Sequence, residues 1–270
     1  MDFLKIIIER FPEMEETLNL SSQTSSNIVE MQVQAYNDRE GNLNYYDCPI
    51  CKNKGNVAYI NQNGDYSVRQ CPCIVQRRII QRTRQSGMGL LLEKNFDNFE
   101  SNSEYQKAFC KVAKSFINQI KSGNKPWMML CGQSGSGKTH ICAATCNVLL
   151  KSGFEVYYMP WVDDSKQLKR LTMDEVQYRE RMEQLQTVPV LYIDDLFKSG
   201  KTDADKSIAF ELLNSRINRD NITVISTEML LTDLLEIDEA IFSRLIEKCG
   251  AHISKVSKDM SKNYRLRGVL

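Results

Sequence analysis

The stretch Gly132-Gln133-Ser134-Gly135-Ser136-Gly137-Lys138-Thr139 follows an apolar run, Trp127–Cys131, and leads through His140 into a helix-forming segment. Glycines in such a turn let backbone N–H groups point inward at phosphate oxygens, where side chains would block the approach. Lys138 brings a point charge to β- and γ-phosphates, the Thr139 hydroxyl is a Mg2+ ligand, and the helix N-terminus adds partial positive charge. An accidental match to the pattern arises in roughly 1% of chains this long. With a strand before it and a helix after it, the pattern predicts an ATP site.

A second motif, Val190-Leu-Tyr-Ile-Asp194-Asp195, is an apolar strand that ends in carboxylates. That ending places Asp194 beside the water shell of a metal, so Thr139 and Asp194 are the predicted Mg2+ residues. Asp195 is then the group that orients or deprotonates the attacking water. Many P-loop proteins carry Glu at this second position; Asp is one methylene shorter, which points to slow hydrolysis.

Cys48-Pro-Ile-Cys51 and Cys71-Pro-Cys73 offer four thiolates on two short turns. Four soft ligands from two turns suit tetrahedral Zn2+, and a filled set of four makes the site structural rather than catalytic. The alternative is four reduced, unligated cysteines, but so small a fragment cannot bury a core of its own and needs a staple. The other five cysteines (Cys110, Cys131, Cys142, Cys146, Cys249) lie in apolar surroundings and read as small core residues. An odd total of nine at irregular spacing is no secreted disulfide framework. No apolar run is long enough to span a bilayer, and the N-terminus lacks the pattern of a signal peptide, so a cytoplasmic location is expected.

These chemical groups require a scaffold. The net charge of +1 excludes a uniformly basic coat, so any nucleic-acid contact must be local. Composition shifts near residues 45 and 90 predict an N-terminal helical segment (1–45), a zinc-binding module with a basic helix and linker (46–90), and an ATPase domain (91–270). Phe3, Leu4, Ile7, Ile8 and Phe11 have roughly helical spacing, and SSQTSSN (21–27) breaks it. Ile74–Arg84 reads as a helix, with Ser86-Gly87-Met88-Gly89 as a hinge-like linker. Arg69, Arg77, Arg78, Arg82 and Arg84 have no acidic residue among them; they suit phosphate, a partner surface or a solvated helix face equally. Beyond residue 95, strands at Trp127–Cys131, Glu155–Met159, Val190–Ile193, Ile222–Ser226 and His252–Val256 are expected. Helices fall at 103–121, 138–151, 205–219 and 231–247. The alternation predicts an α/β fold with a parallel sheet.

CPIC…QCPCIVQRRIIQRTRQSGM, NFDNFE, GQSGSGKTH, VLYIDDLFK, TVISTE, IFSRLIEK and NYRLR together resemble the helicase-loader branch of the AAA+ ATPases, the DnaC/DnaI-like and IstB-like proteins. The resemblance covers about residues 46–270. It implies an AAA+ ATPase that places a hexameric replicative helicase on single-stranded DNA, gripping the helicase through its N-terminal region and assembling into an oligomer on it. It implies that Thr227 and Glu228 stand where the γ-phosphate is read, with Glu228 departing from the usual Asn and Thr227 taking that role. It also implies that Arg244 reaches into a neighbouring subunit's ATP, although a pairing with Glu247 on its own helix is the plainer reading. Arg265 matches a terminal arginine element, while Phe96 and Phe99 either flank adenine or sit in the core. The rival readings are a transposition-helper ATPase on duplex DNA and an ATP-binding adaptor with little hydrolysis.

Overall fold

The computed structural model describes residues 27–198 and 200–266, so Phe3–Phe11 lie outside the described residues. The chain divides into two compact units, the first ending at Arg78 and the second beginning at Ile79.

In the first unit a helical stretch, α1 (27–38), precedes an antiparallel hairpin, β1 (Asn56–Ile60) and β2 (Tyr66–Gln70), and the start of α2 (Cys73–Gln85). Its buried apolar cluster among the described residues is Cys48, Cys51, Cys71 and Cys73, with Val57 packed against them. Arg77 is almost wholly buried and fastens the unit by donating to the carbonyls of Leu43 and Asn44 and to Asn53 Oδ1. The basic run is therefore not one surface: Arg77 is spent inside, Arg69 lies over the Tyr59 ring and Arg82 pairs with Glu155.

The second unit is built on a five-stranded parallel sheet in the order β4 (Val156–Pro160), β5 (Val190–Asp194), β6 (Ile222–Thr227), β3 (Trp127–Gly132), β7 (Ile253–Val256). Every residue of β3, β5 and β6 is buried, as expected for central parallel strands covered on both faces, whereas the edge strands β4 and β7 are only partly so. The strand period of two divides their side chains between two cores. Trp127, Met129, Cys131, Leu191, Ile193 and Ile225 face one way, against α5 (Trp161–Leu171), α6 (Glu175–Thr187), α7 (Asp203–Asn218), α8 (Leu231–Ile237) and α9 (Glu239–Cys249). Met128, Leu130, Val190, Tyr192 and Val224 face α3 (Glu104–Lys121) and α4 (Lys138–Lys151). The α/β expectation holds. Among the described residues no helix is long and apolar enough to cross a membrane.

Three local expectations need correction. The helix expected over 231–247 is two, because Asp238 leaves helical geometry (φ −162°, ψ 101°) and caps α9 by accepting from the Ile241 amide at 3.0 Å. Two helices, α5 and α6, fill a stretch in which none was expected. Met88, in the supposed hinge, is fully buried, and the Ser86 hydroxyl accepts from the Tyr158 amide, so that stretch is fastened to the second unit's core.

Arg216 on α7 is fully buried and ties the amino ends of two strands together. It donates to the carbonyls of Leu185, Val188 and Ile222 at 2.6–2.9 Å and to Thr223 Oγ1 at 3.0 Å. Burial pulls its pKa down to about 9, a sign of how little water reaches it. Arg216→Met leaves these acceptors without donors and is expected to destabilise the unit by about 3 kcal/mol. A urea titration followed by fluorescence of Trp127 and Trp161, both buried in this unit, measures it.

Candidate functional site

A cleft of about 430 Å³ opens at the carboxyl ends of the parallel strands, where ligands bind in sheets of this type. The volume falls within the range of small-molecule pockets. Ser134–His140, Asp195, Lys198, Glu228 and Arg265 line it, with Phe99 at one side.

The loop between β3 and α4 is shaped by its glycines. Gly135 (φ +76°) and Gly137 (φ +94°) hold left-handed backbone, and a Cβ on either would collide with a neighbour. On Gly135 it would meet Asn263 Oδ1 at 1.9 Å, and on Gly137 the Phe99 ring at 2.6 Å. Lys138, at the head of α4, is nearly buried and donates to the carbonyls of Gly132 (2.7 Å) and Gln133 (2.8 Å). Burial lowers its pKa, an effect opposed by Asp195 and Glu228. His140 Nε2 donates to the Asn95 carbonyl (2.9 Å) and the ring packs on Phe99, which joins segment 95–99 to the loop. Phe99 therefore reaches the cleft, while Phe96 packs only into the core.

Four hydroxyls converge on Asp194 at the end of β5. Thr139 (3.0 Å), Tyr192 (2.6 Å) and Ser226 donate to Oδ1, and Tyr158 (3.0 Å) donates to Oδ2. Burial and the neighbouring Asp194 charge push both tyrosine pKa values up, so the phenols stay protonated donors. A Thr139 hydroxyl whose proton is committed to Asp194 presents its lone pairs outward. With the carboxylate it forms the hard oxygen donor set that suits Mg2+. Asp195 follows in left-handed backbone (φ 56°), its amide donating to Ser226 Oγ at 2.9 Å.

Lys198 sits between two carboxylates, 2.6 Å from Asp195 and 3.0 Å from Glu228. Burial pushes its pKa down, but those two partners outweigh it and hold the ammonium above its usual range. Burial likewise raises Glu228, and its bonds to Lys198 and Ser134 bring it below the ordinary carboxylate range.

The predicted phosphate, Mg2+ and water-orienting residues thus meet in one place, and Thr227 and Arg244 do not join them. Thr227 is fully buried and turned from the cleft: its hydroxyl donates to the Leu196 carbonyl (2.9 Å) and accepts from the Met229 amide (3.1 Å). Ser226 and Glu228, its neighbours on the other face, meet the cleft network instead. Arg244 is exposed on α9, held by Asn214 and Asn218 of α7, and does not line the cleft. Its side chain bonds to those asparagines and not to Glu247. The segment after β7 crosses the loop: Gln133 exchanges bonds with the Asp259 backbone, the Tyr264 amide donates to the Gly135 carbonyl (2.9 Å), and Arg265 reaches the Ser134 hydroxyl (3.5 Å). Sequence reasoning missed Tyr158, Tyr192 and Ser226 around Asp194, and gave Lys198 no role.

In the first unit the four cysteine Sγ atoms all lie within 4.8 Å of one another, with Cys48–Cys71 at 3.7 Å and Cys51–Cys73 at 3.5 Å. The Gly55 amide donates to Cys51 Sγ at 3.3 Å, which favours a thiolate there. The separations match the edges of a ZnS4 tetrahedron, about 3.8 Å for bonds of about 2.3 Å.

The family model for the IstB-like ATP binding protein matches residues 75–268. The chain is 29% identical over 243 residues to the phage-like element PBSX protein XkdC of Bacillus subtilis (strain 168), covering 85% of this chain and 90% of that one. It is 24% identical over 170 residues to the replicative helicase loader DnaC of Escherichia coli (strain K12), covering 62% and 69%. Among solved structures, that of the DnaC helicase loader superposes with a TM-score of 0.55 at 22% identity, over 62% of this chain and 98% of that one.

Proposed function

The chain belongs to the IstB-like ATP-binding proteins, with an AAA+ α/β fold and a four-cysteine cluster ahead of it, and from that premise we propose that it is an ATPase that loads a hexameric replicative helicase onto single-stranded DNA. The observation that supports this most directly is the clustering of four thiols in a unit that precedes a complete nucleotide cleft. A transposition helper on duplex DNA, the rival reading, calls only for the ATPase half.

In this reading the loop amides and Lys138 bind the phosphates, and Gln133, Ser134, Ser136 and His140 shape their cradle. Thr139 and Asp194 hold Mg2+, which neutralises phosphate charge. Tyr158, Tyr192 and Ser226 fix the Asp194 carboxylate that would help hold the ion, and Asp195 orients the attacking water. Cys48, Cys51, Cys71 and Cys73 hold a structural Zn2+, and the N-terminal region carries the helicase contact. A replication partner places the protein in the cytoplasm.

Arg244 acts on a second copy assembled on the helicase, since in its own chain it lies outside the cleft. Arg244→Ala is expected to leave ATP affinity unchanged and to lower helicase-stimulated turnover by at least about tenfold. An equal rate for the variant in a steady-state phosphate-release assay would remove the in-trans role.

The loading reading is tested by light scattering of the full chain mixed with its host's replicative helicase, with ATP and zinc present. A complex heavier than the helicase hexamer, absent with Cys71→Ser, is the expected result. No complex with that helicase would overturn it and make duplex-DNA binding the next measurement.

A further inference from the structure

Across the cleft runs an unbroken line of charged and polar groups. Asp195 at the end of β5 meets Lys198 at 2.6 Å, Lys198 meets Glu228 at 3.0 Å, and Glu228 is bonded to Ser134 of the phosphate loop. All four line the same cleft as Lys138. The side chains of Lys198 and Glu228 are 38% and 31% exposed, so neither is packed into a core, and both are free to change partner.

The chemistry of that line depends on what enters it. One ammonium between two carboxylates carries an excess of negative charge. ATP differs from ADP by one phosphoryl group, which adds negative charge at the end of the chain that Lys138 faces. A carboxylate beside that group is repelled and an ammonium is drawn to it, because opposite charges in a partly desolvated cleft attract more strongly than across water. ADP, ending one phosphate short, leaves the triad as it stands.

We propose that Lys198 is the group that reads the γ-phosphate, with Glu228 as the counterion it leaves to do so. Nucleotide triphosphate exchanges the Lys198–Glu228 pair for a Lys198–γ-phosphate pair, and Asp195, giving up its share of that ammonium to the phosphate, is freed to orient water. The two departures from the common pattern, Asp at 195 and Glu at 228, then belong to one device: each is a carboxylate that holds Lys198 until a third phosphate arrives. This deepens the nucleotide-site reading given under the proposed function and rests on it.

The test is calorimetric titration of the full chain with a non-hydrolysable ATP analogue and with ADP, both with Mg2+. Lys198→Ala is expected to weaken the ATP analogue by roughly ten- to a hundredfold, the loss of one charge-assisted contact, with ADP affinity unchanged within about twofold. Glu228→Gln, which keeps shape and removes the competing charge, is expected to strengthen the analogue several-fold and leave ADP as it was. Equal effects on both nucleotides, or none on either, would overturn the assignment while leaving the nucleotide site intact. If the unaltered protein binds neither nucleotide, the site reading itself fails, and this inference with it.

Discussion

Lys138→Ala is expected to lower ATP affinity by about a hundredfold or more while the second unit stays folded. Lys138 is 4% exposed, and its ammonium is held over the loop by the Gly132 and Gln133 carbonyls. Burial lowers its pKa, and nearby Asp195 and Glu228 oppose that shift. In a cleft also lined by Asp195 and Glu228, alanine would leave the triphosphate facing carboxylates with its best-placed cation gone. Two charge-assisted bonds at about 1.5–3 kcal/mol each set the scale of the loss. The fold should survive because both cores of the unit are built from sheet and helix side chains that Lys138 does not join. Calorimetry with ATP, beside a thermal melt within a few degrees of the parent, checks both halves. Unchanged ATP binding would sink the site assignment.

That prediction concerns the part of the site most legible in the sequence, and the reason is geometric. A phosphate cradle is made by consecutive residues between a strand and a helix, so Gly132–Thr139 announces itself without tertiary information. Asp194 is nearly as legible, because an apolar strand must end where its carboxylate begins. What surrounds Asp194 is not legible, since strand register delivers it. Tyr158 and Tyr192 stand opposite one another in the β4–β5 pairing, with rings 5.3 Å apart, and only that register puts both phenols on one carboxylate. Thr227 shows the same limit. A side chain's face at the end of a strand is fixed by the period of two, and one step along β6 decides between the cleft and the core. Ser226 meets Asp194 and Thr227 turns inward, a distinction TVISTE alone does not make. The helices α5 and α6 escaped for another reason: each buries only a few apolar residues, Trp161 and Leu168 in one and Met182 and Leu185 in the other, too sparse a stripe to reveal a helix.

Cys71→Ser is expected to abolish zinc binding and unfold the first unit. A serine hydroxyl at neutral pH offers no thiolate, and three remaining ligands leave a tetrahedral structural site open to water. The consequence is large because the unit has little else to hold it. Among the described residues its buried cluster is the four cysteines, with the partly buried Val57 packed on them and Ala58 the other buried apolar side chain, and Ile50, Tyr59, Ile60, Tyr66 and Val68 are exposed. A structural Zn2+ site contributes about 10–16 kcal/mol of apparent binding energy, whereas so few buried apolar side chains contribute only a few kcal/mol. Reduced, metal-free thiols packed at 3.5–3.7 Å would have to hold the hairpin against its chain entropy by themselves. Metal analysis of protein purified without chelator should find one zinc per chain in the parent and none in the variant. Hydrogen exchange should then show lost protection in the hairpin β1–β2 and around residues 48–73, with the strands β3, β5 and β6 unchanged, because their two cores contain none of these cysteines. A parent protein without zinc, or a variant that keeps a full equivalent, would remove the metal from the account of this fold.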